Sequence, residues 1–208
     1  MFVYLDNSAT TRQYDHVTEE MIRCIKEEYG NPSSLHRMGL AAEQRVDQAR
    51  ASLAKVIGAE KEEILFTGGG SEADNAALIG LAERNRKRGN RIITSMIEHP
   101  AVGEALKYLE NKGFEVIPVP VDQKGRVDFD QLIGAVNDRT ILVSVMMVNN
   151  ELGTVQPIKH IGKQLRKRDG ICFHTDGIQA LGKIPFQVDA LGVDLLSLSA
   201  HKVHGPKG

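Results

Sequence analysis

The stretch "RIITSMIEHPAVGEALKYLENKGFEVIPV", residues 91–119, decides the fold. Its ends, RIITS (91–95) and EVIPV (115–119), are short, β-branched and apolar, and each reads as a buried strand. Ala101–Asn111 between them carries apolar residues at helical spacing. A strand, a helix and a second strand in so short a span imply two parallel strands joined by a crossover helix. The same alternation runs on to either side. Further strands are predicted at EILFT (63–67), ILVSVMMV (141–148), ICFHT (171–175) and DLLSLS (194–199). Helices are predicted at Val17–Tyr29, Leu40–Ile57, Glu72–Arg88, Asp128–Val136 and Ile158–Arg168. Asp128, with Gln131 three residues on, resembles a capping box that has Asp in the Ser/Thr position. The class is α/β, three layers, with a mainly parallel sheet flanked by helices. No internal repeat, low-complexity tract or linker interrupts it.

Composition agrees with one globular domain or slightly more: 208 residues, 41% hydrophobic and 25% charged. Lys and Arg number 26 against 27 Asp and Glu, for a net charge of -1, so the charge balance favours no nucleic-acid partner. The basic runs Arg84–Arg88 and Arg166–Arg168 fall at the C-terminal ends of predicted helices, where cations complement the dipole, and read as solvated faces. The first twenty residues hold no apolar stretch of signal-peptide length. The longest apolar run, Ile141–Val148, is broken by Ser144 and falls far short of a membrane span, so the sequence reads as cytoplasmic with no membrane partner. Cys24 and Cys172 are too few and too separated for a disulfide framework or metal cluster and read as core residues.

Ligands of such sheets bind beyond the carboxyl ends of the strands. Five consecutive strand ends carry polar or ionisable residues: Gly68-Gly69-Gly70-Ser71, Glu98-His99, Asn149-Asn150-Glu151, His174-Thr175-Asp176-Gly177-Ile178-Gln179 and Ser199-Ala200-His201-Lys202. In "FTGGGSEADN" (66–75), a glycine run between strand and helix lets backbone N–H groups face an anion, which outlines a phosphate site. A Walker A loop is excluded, because no Gly-Lys-Ser/Thr follows. Gly68-x-Gly70-x-x-Ala73 does match a dinucleotide fingerprint, but the ribose-binding acid expected about 20 residues on is missing. The competing reading is a flexible turn with Ser71 as helix N-cap.

In "CFHTDGIQ" (172–179), Asp176 ends a strand where a carboxylate can hold a cationic ring nitrogen, or equally cap a helix. The pairs His174/Asp176 and His201/His204 have metal-ligand chemistry, but Lys202 lies within the second pair and its ammonium would repel a dication, so no metal is assigned. Lysine seldom stands at the inner end of a buried strand without cause, and a Schiff base with an aldehyde supplies one. Lys202 with an earlier phosphate loop and an intervening Asp fits pyridoxal 5′-phosphate, whose aldehyde, phosphate and pyridinium nitrogen each need one of those groups.

The stretches "VYLDNSATT" (3–11), "GNPSSLHRMG" (30–39), "FTGGGSEADN" (66–75), "EHPAV" (98–102), "VNNELGTVQPI" (148–158), "FHTDGIQALGKIP" (173–185) and "SLSAHKVHGPKG" (197–208) together resemble cysteine desulfurases of the NifS/IscS type, in the class V aminotransferase group. The resemblance implies a pyridoxal-phosphate-dependent homodimer of fold type I. Its activity would convert L-cysteine to L-alanine and leave an enzyme-bound persulfide for a sulfur-acceptor or iron–sulfur scaffold protein, or for thiolation pathways. It implies that Lys202 carries the cofactor and serves as general acid/base, that Asp176 pairs with the ring nitrogen and that His99 stacks on the ring. Asn150 and Gln179 would contact the ring-oxygen side; Gly70, Ser71, Ser199 and His201 would bind phosphate. Two departures stand out: the family usually has Ala-Thr-Glu at Gly70-Ser71-Glu72, and Ala is common at Gly177. Neither Cys24 nor Cys172 matches the family's persulfide-forming position, and its substrate-carboxylate arginine has no counterpart here.

The chain is therefore expected to be the N-terminal portion of such an enzyme. Residues 1–14 would be an arm joining a small domain, and residues 15–208 a truncated large domain. Two alternatives stay open: a selenocysteine lyase or other class V relative, and a cofactor-binding fragment without turnover.

Overall fold

The computed structural model describes Met1 and residues 3–207. Five strands, β1 (Arg91–Ser95), β2 (Glu115–Val119), β3 (Thr140–Ser144), β4 (Cys172–Asp176) and β5 (Leu195–Ser197), form one sheet in the order β2-β1-β3-β4-β5. Every pairing is parallel. Among the described residues seven α-helices accompany it: α1 (Asp15–Glu27), α2 (Arg37–Ile57), α3 (Gly70–Asn85), α4 (Pro100–Asn111), α5 (Phe129–Ala135), α6 (Ile158–Leu165) and the short α7 (Val188–Leu191). The α/β class is thus observed, and β1 and β2 have the bounds that the sequence predicts.

The period of two along each strand sorts the core into two layers. Ile92 and Leu142 point to the face covered by α3 and α4, where they meet Leu78, Ala82, Val102, Leu106 and Leu109. Their chain neighbours Ile93 and Val143, with Phe173, point to the other face and pack on Leu132 of α5 and on Ile158, Ile161 and Leu165 of α6. Both faces are buried, which is why β1 and β3 carry consecutive apolar residues at 92–93 and 141–143 rather than alternating ones.

Several boundaries were set by groups outside each segment's own pattern. No strand forms at 63–67. Lys61–Glu63 makes a 3-10 turn capped reciprocally by Glu60 and Glu63, and Ile64 is extended (φ -87°, ψ 119°). Leu65 and Phe66 are exposed, and none of the described residues pairs with this segment, so its β propensity has no ladder to join. β3 ends at Ser144; Val145–Met147 stay buried in irregular chain, and Val148 makes a single bridge to Val155. Asp128 does cap α5, accepting from the Gln131 N–H at 2.9 Å, but Gln131 returns its amide to the Asp128 carboxylate at 2.8 Å rather than to the backbone. Cys24 and Cys172 are half-buried, not core. In the basic runs, Arg86 reaches the Lys112 carbonyl and lies 4.9 Å from the Phe114 ring centroid, and Arg168 donates to the Val136 carbonyl at 3.3 Å. These two tie helix ends to neighbouring turns as well as facing water.

Candidate functional site

Parallel strands end on one edge of the sheet, and the residues after β1, β3, β4 and β5 gather there with the start of α3. α3 begins at Gly70, with Gly69 as N-cap; Ser71 lies in the first turn and does not cap. The Ala73 N–H makes the first backbone bond, to Gly69 O at 3.0 Å, so the N–H groups ahead of it are free of intrahelical partners. A methyl group on Gly70 would sit 2.4 Å from Ile178 Cδ1 and 3.4 Å from Ser199 Cβ. The glycine run, the turn after β4 and the end of β5 are therefore in contact. Ser71 is exposed, whereas Ser199 is buried.

Asp176, at the end of β4, is buried and accepts the Ile178 N–H at 2.9 Å. Burial raises its pKa, while that hydrogen bond and the charges of His99 and Lys202 pull the other way. His99 caps α4: its Nδ1 accepts the Ala101 N–H at 3.1 Å, which puts the proton of the neutral ring on Nε2. Lys202 closes the 3-10 turn after β5, and its ammonium donates to the carbonyls of Ser8 and, at 2.8 Å, Ala9. Burial lowers the Lys202 pKa, against Asp176 and Asp6. Lys202, Asp176 and His99 thus share one electrostatic neighbourhood, although they come from three different strand ends.

Gln179 is buried, with Nε2 donating to Ser8 O at 2.8 Å and Oε1 accepting from Lys183. Asn149 and Asn150 differ. Asn149 is buried, donates to the Ile97 carbonyl at 3.0 Å and accepts from the N–H groups of Glu151 and Leu152, so it builds the turn. Asn150 is half-buried at the edge of the site.

The N-terminal residues lie across this edge, a placement that no local pattern in residues 8–12 indicates. The N–H and hydroxyl of Thr11 both donate to His201 O, at 2.9 and 2.8 Å, and the His204 N–H donates to Thr11 Oγ1 at 2.7 Å. His201 Nδ1 is 3.1 Å from Thr10 Oγ1, and His204 Nδ1 is 2.8 Å from the Arg12 carbonyl. His204 has a left-handed φ of 64°, offset by these bonds and by its stack on Tyr14 at 4.3 Å between centroids.

Beneath the edge lies a buried polar layer, of which His174 and Glu98 are singled out in the sequence and Asp74 is not. His174 is enclosed, with Nδ1 2.9 Å from Ser144 Oγ and Nε2 2.9 Å from Ser197 Oγ; burial pulls its pKa down to about 4. Asp74 of α3 is also enclosed, 3.6 Å from His174 Nε2, and burial with the nearby Asp176 charge pushes its pKa up to about 7. Glu98 accepts from Ser95 Oγ and from the Met146 N–H at 2.9 Å, and burial pushes its pKa up to about 8. One signal for Asp74 was legible: it heads the stripe Asp74, Leu78, Ala82, the buried face of α3, where an acid is out of pattern.

The two cysteines stand apart from all this. Cys172 begins β4, four strand positions from Asp176, roughly 13 Å at the usual rise. Its thiol pKa is pushed up by burial, and that of Cys24 by burial and a hydrogen bond to Glu28.

The profile of the family described as aminotransferase class-V matches residues 3–208. Cysteine desulfurase IscS of Clostridium botulinum (strain Kyoto / Type A2) is 50% identical over 206 residues, covering 99% of this chain and 52% of the relative. A solved structure named NifS-like protein superposes with a TM-score of 0.97 at 48% identity, covering 100% of this chain and 57% of that one. Another, SspA in complex with cysteine, gives 0.95 at 40% identity, covering 100% and 59%. The chain spans about half the length of the curated relatives it matches.

Proposed function

The chain belongs to the aminotransferase class-V family, and from that premise we propose that it supplies the cofactor pocket of a pyridoxal 5′-phosphate-dependent cysteine desulfurase. The reaction converts L-cysteine to L-alanine and leaves sulfur on an enzyme cysteine as a persulfide. The observation that carries this reading is the convergence of Lys202, Asp176 and His99 beside the glycine-rich start of α3.

The residues present fit the cofactor chemically. The unpartnered N–H groups at the start of α3, with Gly70, Ser71, Ser199 and His201, are donors suited to its phosphate. The buried Asp176 carboxylate suits the ring nitrogen, the half-buried Lys202 amine suits the aldehyde, His99 suits the ring face, and Asn150 and Gln179 suit the ring-oxygen side. Lys183 holds Gln179 Oε1, so Gln179 is left to donate from Nε2. When bound, pyridoxal phosphate supplies an electron sink for the substrate α-carbon.

Around that sink, this chain's residues bind, orient and move protons. The buried Asp176 carboxylate would hold a cationic ring nitrogen by a charge-assisted hydrogen bond, which burial strengthens. Lys202 Nζ, with its pKa lowered by burial, is the group that takes and returns the substrate proton. Its neighbours restrain it: His201 is fastened to the arm on one side, and Lys183 adds a like charge nearby. Neither Cys24 nor Cys172 is the sulfur acceptor in this reading, because both thiols are shifted away from the thiolate.

The remaining proposals are that residues 1–14 serve as an arm to a small domain and 15–208 as the large domain, and that the enzyme is a cytoplasmic homodimer that passes sulfur to an acceptor or iron–sulfur scaffold protein. The relative named IscS and the cysteine complex of SspA support cysteine as substrate. The test is alanine formation from L-cysteine by the complete enzyme loaded with pyridoxal phosphate, beside L-selenocysteine. Alanine from cysteine is expected; cofactor binding without it, or turnover of selenocysteine alone, overturns the reading.

A further inference from the structure

The buried layer beneath Asp176 contains more ionisable groups than the proposed reaction uses, and their arrangement is specific. His174 and Asp176 are two residues apart on β4 and so face the same side of the sheet, the side that α3 covers. Their register partners are Ser144 on β3 and Ser197 on β5. Asp74 lies over them from α3, fully enclosed, and neither of its carboxyl oxygens has a hydrogen-bond partner among the described residues. One oxygen of Glu98 is likewise enclosed and unpartnered.

An ionised carboxylate in that position would lack a counter-ion, and the one hydroxyl near enough to favour its charge, that of Ser197, is shared with His174 Nε2. His174 does not make up for this: both ring nitrogens are already engaged by serines, and the 3.6 Å separation from Asp74 exceeds hydrogen-bond range. Asp176 differs because it has a backbone donor at Ile178 and faces the Lys202 ammonium. Three neighbouring buried carboxyls cannot all ionise, and the negative charge goes to the one that faces an ammonium, Asp176.

We propose that Asp74 is a positioning residue for Asp176: a carboxyl kept protonated behind it, so that Asp176 remains the anion of the buried layer, and whose loss of that proton is felt at Asp176. The titratable groups facing the pair all belong to this account: His174 and Asp176 from β4, Glu98 from the turn after β1, His99 at the start of α4, and Lys202 after β5. The meaning of this device for catalysis rests on the proposed role of Asp176 at the cofactor; the proton coupling itself does not.

The test therefore begins without cofactor. In the purified protein labelled at histidine, the His174 ring resonances, assigned by comparison with His174→Gln, are followed against pH. They are expected to shift with an inflection in the neutral range as Asp74 ionises 3.6 Å away, and Asp74→Asn is expected to abolish it. Asp176→Asn is expected to move the inflection down by about one pH unit, since a neighbouring anion is removed. An inflection that persists in Asp74→Asn, or a midpoint unmoved by Asp176→Asn, overturns the proposal. If Asp74→Asn does not fold, a ring signal in the unaltered protein that is flat through neutral pH does the same. A second arm, the visible absorbance of the pyridoxal-phosphate-loaded protein against pH, is expected to show a lower midpoint in Asp74→Asn. Loss of all visible absorbance in the unaltered protein would count against the cofactor reading and leave the histidine result to decide the coupling.

Discussion

Lys202 donates its ammonium to the Ala9 carbonyl at 2.8 Å, across 193 residues of chain. The lysine is thus held at one end by the turn after β5 and at the other by the arm, with little freedom left between. A nucleophile so restrained loses little entropy on meeting an aldehyde delivered to the same edge.

Lys202→Ala removes the amine at this position. The protein reconstituted with pyridoxal phosphate is expected to lose the visible absorbance band and its bleaching by borohydride. An unchanged band in the variant would show that another amine carries the cofactor.

Asp176→Asn keeps the shape and the Ile178 contact but removes the charge. In the complete enzyme, turnover is expected to fall by at least about a hundredfold, as when an electrostatic group at the reacting centre is removed, while cofactor occupancy changes much less. Equal loss of both would make Asp176 a structural residue only.

Thr11→Val deletes a buried hydroxyl that donates to His201 O and accepts from the His204 N–H. With the His204 N–H left unpaired, the cost is expected to be about 1–3 kcal/mol, read as a lower urea midpoint. A midpoint unchanged within error would mean that the arm does not contribute to the folded edge.

Burial raises the pKa of Asp74 to about 7 and of Glu98 to about 8. The folded state holds these protons where the unfolded chain has released them, so stability is greatest near the unfolded carboxyl range and falls as pH rises to about 7–8. For a single group displaced about three pH units, the loss is at most about 4 kcal/mol. Urea midpoints from about pH 5 to about pH 8 should fall, and Glu98→Gln should flatten the Glu98 share of the slope. A profile that rises over this range would refute the assignment.

The 208-residue chain supplied with pyridoxal phosphate is expected to form no alanine from L-cysteine, because neither Cys24 nor Cys172 has a stabilised thiolate. Turnover that disappears in Cys24→Ser or Cys172→Ser would identify the nucleophile that the proposed function denies.

Much of this protein was settled by local pattern. The apolar runs around residues 91–95, 115–119 and 171–175, with helical spacing between them, determine a parallel sheet, because period and burial are properties that a segment carries with it. Lysine after a buried strand, the glycine run before α3 and Asp176 at the end of β4 stand out for the same reason: each violates its local context and so requires a function. Only the tertiary structure decided what depends on neighbours far along the chain. Residues 63–67 have strand composition but no partner to complete a ladder, and residues 8–11 belong to a recognisable motif whose bonds to Lys202 and His201 only the folded chain shows. Asp74 becomes a buried, unpartnered acid only when α3 is laid against His174 and Asp176. Proton affinity in a low-dielectric interior is set by distance through space and exclusion of water, and neither is written in any single segment.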